Sequence, residues 1–103
     1  MIVYVEQTAS LAEIEEQAKK DSKGVTIGHM VPLSKAKLTI KLLSSLSIDE
    51  NNKPSYSYYV RAKPYMPFSA SKTYPTAKEA IYALVTQFEL NSYYTLKMKT
   101  FTE

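Results

Sequence analysis

The sequence predicts an α+β fold, a four-stranded antiparallel sheet with two helices on one face. Three observations predict it. Residues 37–64 alternate apolar and polar on both sides of one turn, as a long hairpin does. Residues 11–20 and 77–90 each carry a single apolar stripe at helical spacing. Shorter alternating stretches near the two ends supply a first and a last strand.

The elements follow in order. Ile2 to Glu6 is β-branched and aromatic, and reads as a strand with Val3 and Val5 inward and Ile2, Tyr4 and Glu6 outward. Thr8-Ala9-Ser10 breaks it. Ser10 and Glu13 have the spacing of a capping box, in which the serine oxygen accepts a free helical N–H and the glutamate returns to the serine N–H. The helix runs from Leu11 to about Lys20, with Leu11, Ile14 and Ala18 as its stripe, and Asp21-Ser22-Lys23-Gly24 ends it. Val25 to Ser34 reads as a short strand or a covering loop, and Pro32 argues against a central strand through it.

The hairpin comes next. Leu38, Ile40, Leu42, Leu46 and Ile48 share one face, and Tyr56, Tyr58 and Val60 continue that face after the turn at 49–54. The expected register sets Lys41 opposite Lys63, Leu43 opposite Arg61, Ser45 opposite Tyr59 and Ser47 opposite Ser57. Residues 64–75 hold three prolines and form an irregular connection. Thr76 and Glu79 make a second capping box, and the helix from Ala77 to about Leu90 aligns Ala77, Ala80, Ile81, Leu84 and Phe88, with Asn91 as its C-cap. Tyr93 to Phe101 is the last strand, with Tyr94, Leu96 and Met98 on one side and Thr95, Lys97 and Lys99 on the other.

The order β-α-β-β-α-β resembles the ferredoxin-like split β-α-β arrangement, with both helices on one sheet face. That resemblance is one of topology and implies no activity. It places strand 55–63 beside the first strand, and the first strand beside the last. A competing reading makes Val25–Met30 a strand and drops the terminal strands. It gives α-β-β-β-α, an order similar to a double-stranded RNA-binding domain.

A chain of 103 residues without cysteine is expected to be one domain, 1–103, with no disulfide, thiolate metal site or cysteine nucleophile. No apolar run reaches the roughly 20 residues of a membrane span, and no signal peptide is legible, so a cytoplasmic protein is expected. The net charge is +3 and uneven: residues 1–21 sum to −3, with five carboxylates against Lys19 and Lys20, and the rest sum to +6. A basic body favours an anionic partner, while a single arginine argues against reading duplex base edges.

Catalytic chemistry has no residues to carry it. The one histidine, His29, has no cysteine or acidic motif near it and reads as a structural or surface side chain. Glu13 and Glu16 share an exposed helical face as solvated charges. The two glycines cannot build a phosphate loop. A non-enzyme without cofactor or metal is therefore expected.

The outward sheet face is the expected binding surface, displaying Tyr4, Lys41, Tyr59, Arg61, Lys63, Lys97 and Lys99. Aromatics on central strands flanked by cations suit single-stranded nucleic acid, as in an RNA-recognition motif, although residues 56–62 lack that motif's glycine-containing signature. The loop residues Tyr65, Met66, Phe68 and Tyr74 suit a protein partner instead. That feature fits an inhibitor from a phage or mobile element, anti-CRISPR-like or anti-restriction-like, acting on a host nucleic-acid-processing enzyme. The 37–48 strand is expected at a sheet edge, open to pairing in a homodimer.

Overall fold

The computed structural model describes residues 2–32, 37–63, 72–89 and 94–103. Seven elements follow in order: β1 (Ile2–Ser10), α1 (Leu11–Lys20), β2 (Val25–Pro32), β3 (Leu38–Ile48), β4 (Pro54–Lys63), α2 (Ala77–Glu89) and β5 (Tyr94–Thr102). The fold is α+β with one sheet and two helices. The sheet has five strands in the order β1-β5-β2-β3-β4. β1 runs parallel to β5, and the other pairings are antiparallel. The four-stranded antiparallel expectation is thus corrected to a mixed five-stranded sheet, and its ferredoxin-like strand order is not found.

The additional strand is β2. It lies at the centre of the sheet, between β5 and β3. Its alternation is broken by a register shift between Thr26 and Gly28. Val25 pairs with Leu42 and Met30 with Leu38, while Ile27 also joins the core. An inserted bulge residue lets inward positions run 25, 27 and then 30, which a period-two reading cannot follow. Gly28 is required there. A Cβ at this position would stand 2.3 Å from the Lys97 carbonyl oxygen on the neighbouring strand. Gly24 turns the chain from α1 into β2 at a φ of +86°, a conformation that side chains rarely adopt.

The hairpin has the expected parity but a register shifted by two residues. Lys41 pairs with Arg61, Leu43 with Tyr59, Ser45 with Ser57, Ser47 with Ser55 and Thr39 with Lys63. The turn causes the shift. The Asp49 N–H donates to the Lys53 carbonyl at 3.1 Å, and the Asp49 Oδ1 accepts the Asn51 and Lys53 N–H groups, each at 2.9 Å. Asn52 adopts a left-handed φ of 59°, taking the place glycine usually fills in a three-residue hairpin loop. The loop is shorter than the 49–54 expectation, and every pair slides accordingly.

Both helices cover one face. Ile14 and Ala18 of α1, with Ala77, Ala80, Ile81 and Leu84 of α2, join one buried cluster with the sheet residues Met30, Leu38, Ile40, Leu96 and Met98. Leu11 packs at its margin. Phe88 is not among the side chains described, and Asn91 and Tyr93 lie outside the described residues. Ser44 Oγ donates to the Ala18 carbonyl at 2.8 Å and ties α1 to β3. The two helix starts differ from one another. Ser10 remains in β1, paired with Thr102, and its side chain makes no cap, so the capping box expected there is absent. At α2 the Thr76 Oγ1 accepts the Glu79 N–H at 3.2 Å as expected.

The distal hairpin departs from the expected core. β2 pairs with β3 only between Leu38 and Leu42, so among the described residues the β3 segment beyond Ser44 has β4 as its sole strand neighbour. Leu46, Ile48 and Tyr56 are 54, 65 and 37% exposed instead of buried. The proximal half of the same face is buried as expected, at Leu38, Ile40, Leu42, Tyr58 and Val60. β3 is also not an edge strand over Leu38–Leu42, which corrects the expected route to a homodimer. The sheet edges are β1 and β4. No helix among the described residues is long and apolar enough to cross a membrane.

Candidate nucleic-acid interface

The sheet face opposite the helices is built in rows by strand register. One row runs Val3, Lys97, His29, Thr39 and Lys63 across all five strands. The next holds Thr26, Lys41 and Arg61, and the one after holds Leu43 and Tyr59. Adjacent strands lie about 4.8 Å apart, so the backbones carrying Lys97 and Lys63 are roughly 14 Å apart. Lys99, two residues further along β5, lines a cavity with Tyr4, Ile81 and Val85 on the helix side. Arg61, Lys63 and Lys97 are exposed, and Lys41, Tyr59 and Lys99 are half-buried.

No carboxylate stands in these rows. The acidic residues lie elsewhere: Glu6 on the edge strand β1 beyond Tyr4, Glu13, Glu15 and Glu16 on α1, Asp21 just after it, Asp49 and Glu50 in the hairpin turn, Glu79 and Glu89 on α2, and Glu103 after β5. Glu16 pairs with Lys19 at 3.1 Å, and Glu103 pairs with Lys78, so these two carboxylates are matched with lysines off this face. Lys41 and Arg61 face each other directly across β3 and β4. Like charges in directly opposed cross-strand positions oppose folding.

Five of the seven expected face residues are brought together by register: Lys41, Tyr59, Arg61, Lys63 and Lys97. Lys99 and Tyr4 are the exceptions. Tyr4 pairs with Met98, a buried residue of the helix side, and it is 61% exposed. Ile2 likewise pairs with Leu96, whereas Val3 pairs with Lys97, so the two faces of the first strand are the reverse of the expectation. The physical reason is that Ile2, Val3, Tyr4 and Val5 are all apolar. Alternation cannot orient a strand whose two faces look alike. β1 is also an edge strand, with a register irregularity between Tyr4 and Thr8.

His29 is the residue that sequence reasoning passed over. The β2 bulge left its segment readable as strand or loop, and the register now puts it between Lys97 and Thr39. Burial holds its imidazole below the ordinary histidine range, and the charges of Lys37, Lys97 and Lys99 add to that effect.

The expected partner loop is only partly described. Tyr65, Met66 and Phe68 lie outside the described residues. Tyr74 pairs with Tyr58 through two backbone hydrogen bonds of 2.7 and 2.8 Å, which caps part of the β4 edge. Its ring packs against the core beneath Lys72, whose Nζ stands 5.6 Å from the ring centre. Tyr74 therefore does structural work at the sheet edge. Among the described residues, no group of three His, Asp or Glu side chains is placed to hold a metal ion.

No family profile, no curated protein and no solved structure matches the chain.

Proposed function

We propose that the protein is a non-enzymatic nucleic-acid-binding module, and that its ligand is a single strand laid across the open sheet face. The observation that carries this reading is Lys41 directly opposite Arg61 in a face whose rows hold four cationic side chains and no carboxylate. Such a pair costs folding stability, and a polyanion across it offsets the cost. The face is a sheet, and none of its rows belongs to a helix that could enter a major groove. A half-buried Tyr59 beside the cations offers a ring for base stacking.

The test is fluorescence anisotropy with a labelled single-stranded oligonucleotide at several salt concentrations. Binding in the micromolar range at low salt is expected. With four or five phosphate contacts, the logarithm of the affinity should fall with a slope of about −3 against the logarithm of salt. No binding at about 100 µM protein in low salt overturns the reading.

A second reading rests on a different surface. Leu46, Ile48 and Tyr56 form an exposed apolar stripe on the hairpin ribbon. Exposed apolar surface of this kind suits a protein partner. It fits an inhibitor that docks on a nucleic-acid-processing enzyme of a host, in the manner of an anti-CRISPR or anti-restriction protein. Here Leu46→Ser combined with Ile48→Ser should abolish capture of one stoichiometric protein from a bacterial lysate. Equal capture by wild type and variant overturns it.

A further inference from the structure

We infer that His29 contacts a backbone phosphate as an imidazolium, so that the protein takes up a proton when nucleic acid binds. This rests on the single-strand reading above and adds a regulatory property to the same face. The placement carries it. His29 is on the central strand β2, half-buried on the open face, with Lys97 of β5 on one side and Thr39 of β3 on the other. Lys63 continues the row on β4.

The surrounding charges all point the same way. On the β5 side are Lys97 and Lys99. On the β3 side are Lys37, just ahead of the strand, and Lys41, two residues beyond Thr39. Lys37, Lys97 and Lys99 each oppose protonation of the ring, as does its partial burial. No carboxylate stands in its row or the next one to favour the charged form. Both helices, with their glutamates, pack on the other face.

In the free protein the imidazole is therefore neutral near pH 7. A phosphate chain laid across the row reverses the local field. It cancels the lysine charges and adds an acceptor for both ring N–H groups. Protonation then becomes favourable, and proton uptake is linked to binding. The strand is held more tightly as the pH falls, through the one side chain in the protein whose ordinary value lies in that range.

The experiment measures binding of oligothymidylate, whose bases do not titrate here, between pH 7.5 and 5.5 at fixed low salt. Wild-type affinity should rise toward acid by at most about tenfold per pH unit, the limit for one linked proton. His29→Gln should bind with a flat pH profile. His29→Lys, with a permanent charge, should also be flat and should bind at pH 7.5 at least as tightly as the wild type. Circular dichroism confirms that each variant is folded. Titration calorimetry of the wild type in two buffers of different ionisation enthalpy reads proton uptake without any substitution.

Binding without pH dependence, or without proton uptake, overturns the inference and leaves the single-strand reading standing. A pH dependence that persists in His29→Gln overturns it as well. Absence of binding at every pH overturns both.

Discussion

Lys41 of β3 and Arg61 of β4 stand directly opposite each other, and Lys41 also pairs with Thr26 of β2. The pair opposes folding and assists an anion, so one substitution should move stability and binding in opposite directions. Lys41→Gln is expected to raise stability by about 0.2–1 kcal/mol. The melting temperature should rise by about 4–8 °C per kcal/mol for a chain of this size. The same variant should bind oligonucleotide more weakly, with a salt slope shallower by about 0.7. A variant that melts lower and binds unchanged contradicts the assignment of this face.

The two tyrosines first grouped on one surface are separated by the fold. Tyr59→Ala should weaken oligonucleotide binding by about 1–3 kcal/mol, because a stacking ring is lost. Tyr4→Ala should leave binding unchanged, because Tyr4 lies on the helix side of β1, near Ile81, Tyr82 and Met98 of α2 and β5. Anisotropy titrations of the two variants side by side check this, and equal losses would place the ligand elsewhere.

The Glu15 carboxylate of α1 caps α2. Its Oε1 accepts the Ala77 N–H at 2.8 Å, across 62 residues of sequence. A carboxylate at a helix N-terminus satisfies a free donor and complements the helix dipole. Glu15→Ala should cost about 0.5–2 kcal/mol in urea unfolding, and Thr76→Ala, which removes the oxygen bound by the Glu79 N–H, a similar amount. Ser10→Ala should cost less than either, since the Ser10 side chain makes no cap at α1. A Ser10→Ala cost above that of Glu15→Ala would reverse the assignment of the two helix starts.

The hairpin turn depends on Asp49 and Asn52. Asn52→Val puts a β-branched residue at a φ of 59° and should cost about 1–2 kcal/mol. Asn52→Gly should be neutral or stabilising, since glycine adopts that conformation freely. Asp49→Ala removes the acceptor of two N–H groups and should cost about 1 kcal/mol. Thermal melts order the three variants, and a Val variant as stable as the Gly variant would exclude the left-handed conformation.

His29 should make stability fall on mild acidification. Its folded value lies below the ordinary one, so the unfolded chain binds the proton first. Above pH about 6.5 both states hold a neutral ring, and His29 contributes nothing. As the pH falls through that value, the unfolded state gains, until the folded protein is protonated too. His29→Gln should remove this part of the pH dependence, seen as a smaller drop in melting temperature between pH 7 and 5.5. Parallel profiles for variant and wild type would show that the ring is not held neutral.

Much of the local structure was legible. The stripes Ile14–Ala18 and Ala77–Leu84 named the buried helix faces, and alternation named the inward sides of β5 and of the proximal halves of β3 and β4. These follow from nearest-neighbour geometry, since helix and strand periods put specific side chains on one side whatever lies beyond. What escaped was of two kinds. A bulge that switches parity at Gly28 left residues 25–34 readable as either strand or loop, so the central place of β2 and the position of His29 escaped. The hairpin register was hidden because asparagine took the left-handed position where a glycine would have announced the loop length.

By itself, then, the sequence determined two helices, a hairpin, the strands that flank them, and a basic composition concentrated after residue 21. It also put Lys41, Tyr59, Arg61 and Lys63 on the same outward parity. Tertiary structure alone decided that β4 does not lie beside β1, that β1 runs parallel to β5, that β2 fills the centre, and that Lys41 meets Arg61. Those are pairings between segments distant in the chain, chosen by which edges and apolar faces fit together. Alternation defines two faces for every strand but carries no information about its neighbour. For the same reason the sequence could not show that Leu46, Ile48 and Tyr56 extend past the strand and helix that bury the rest of their face.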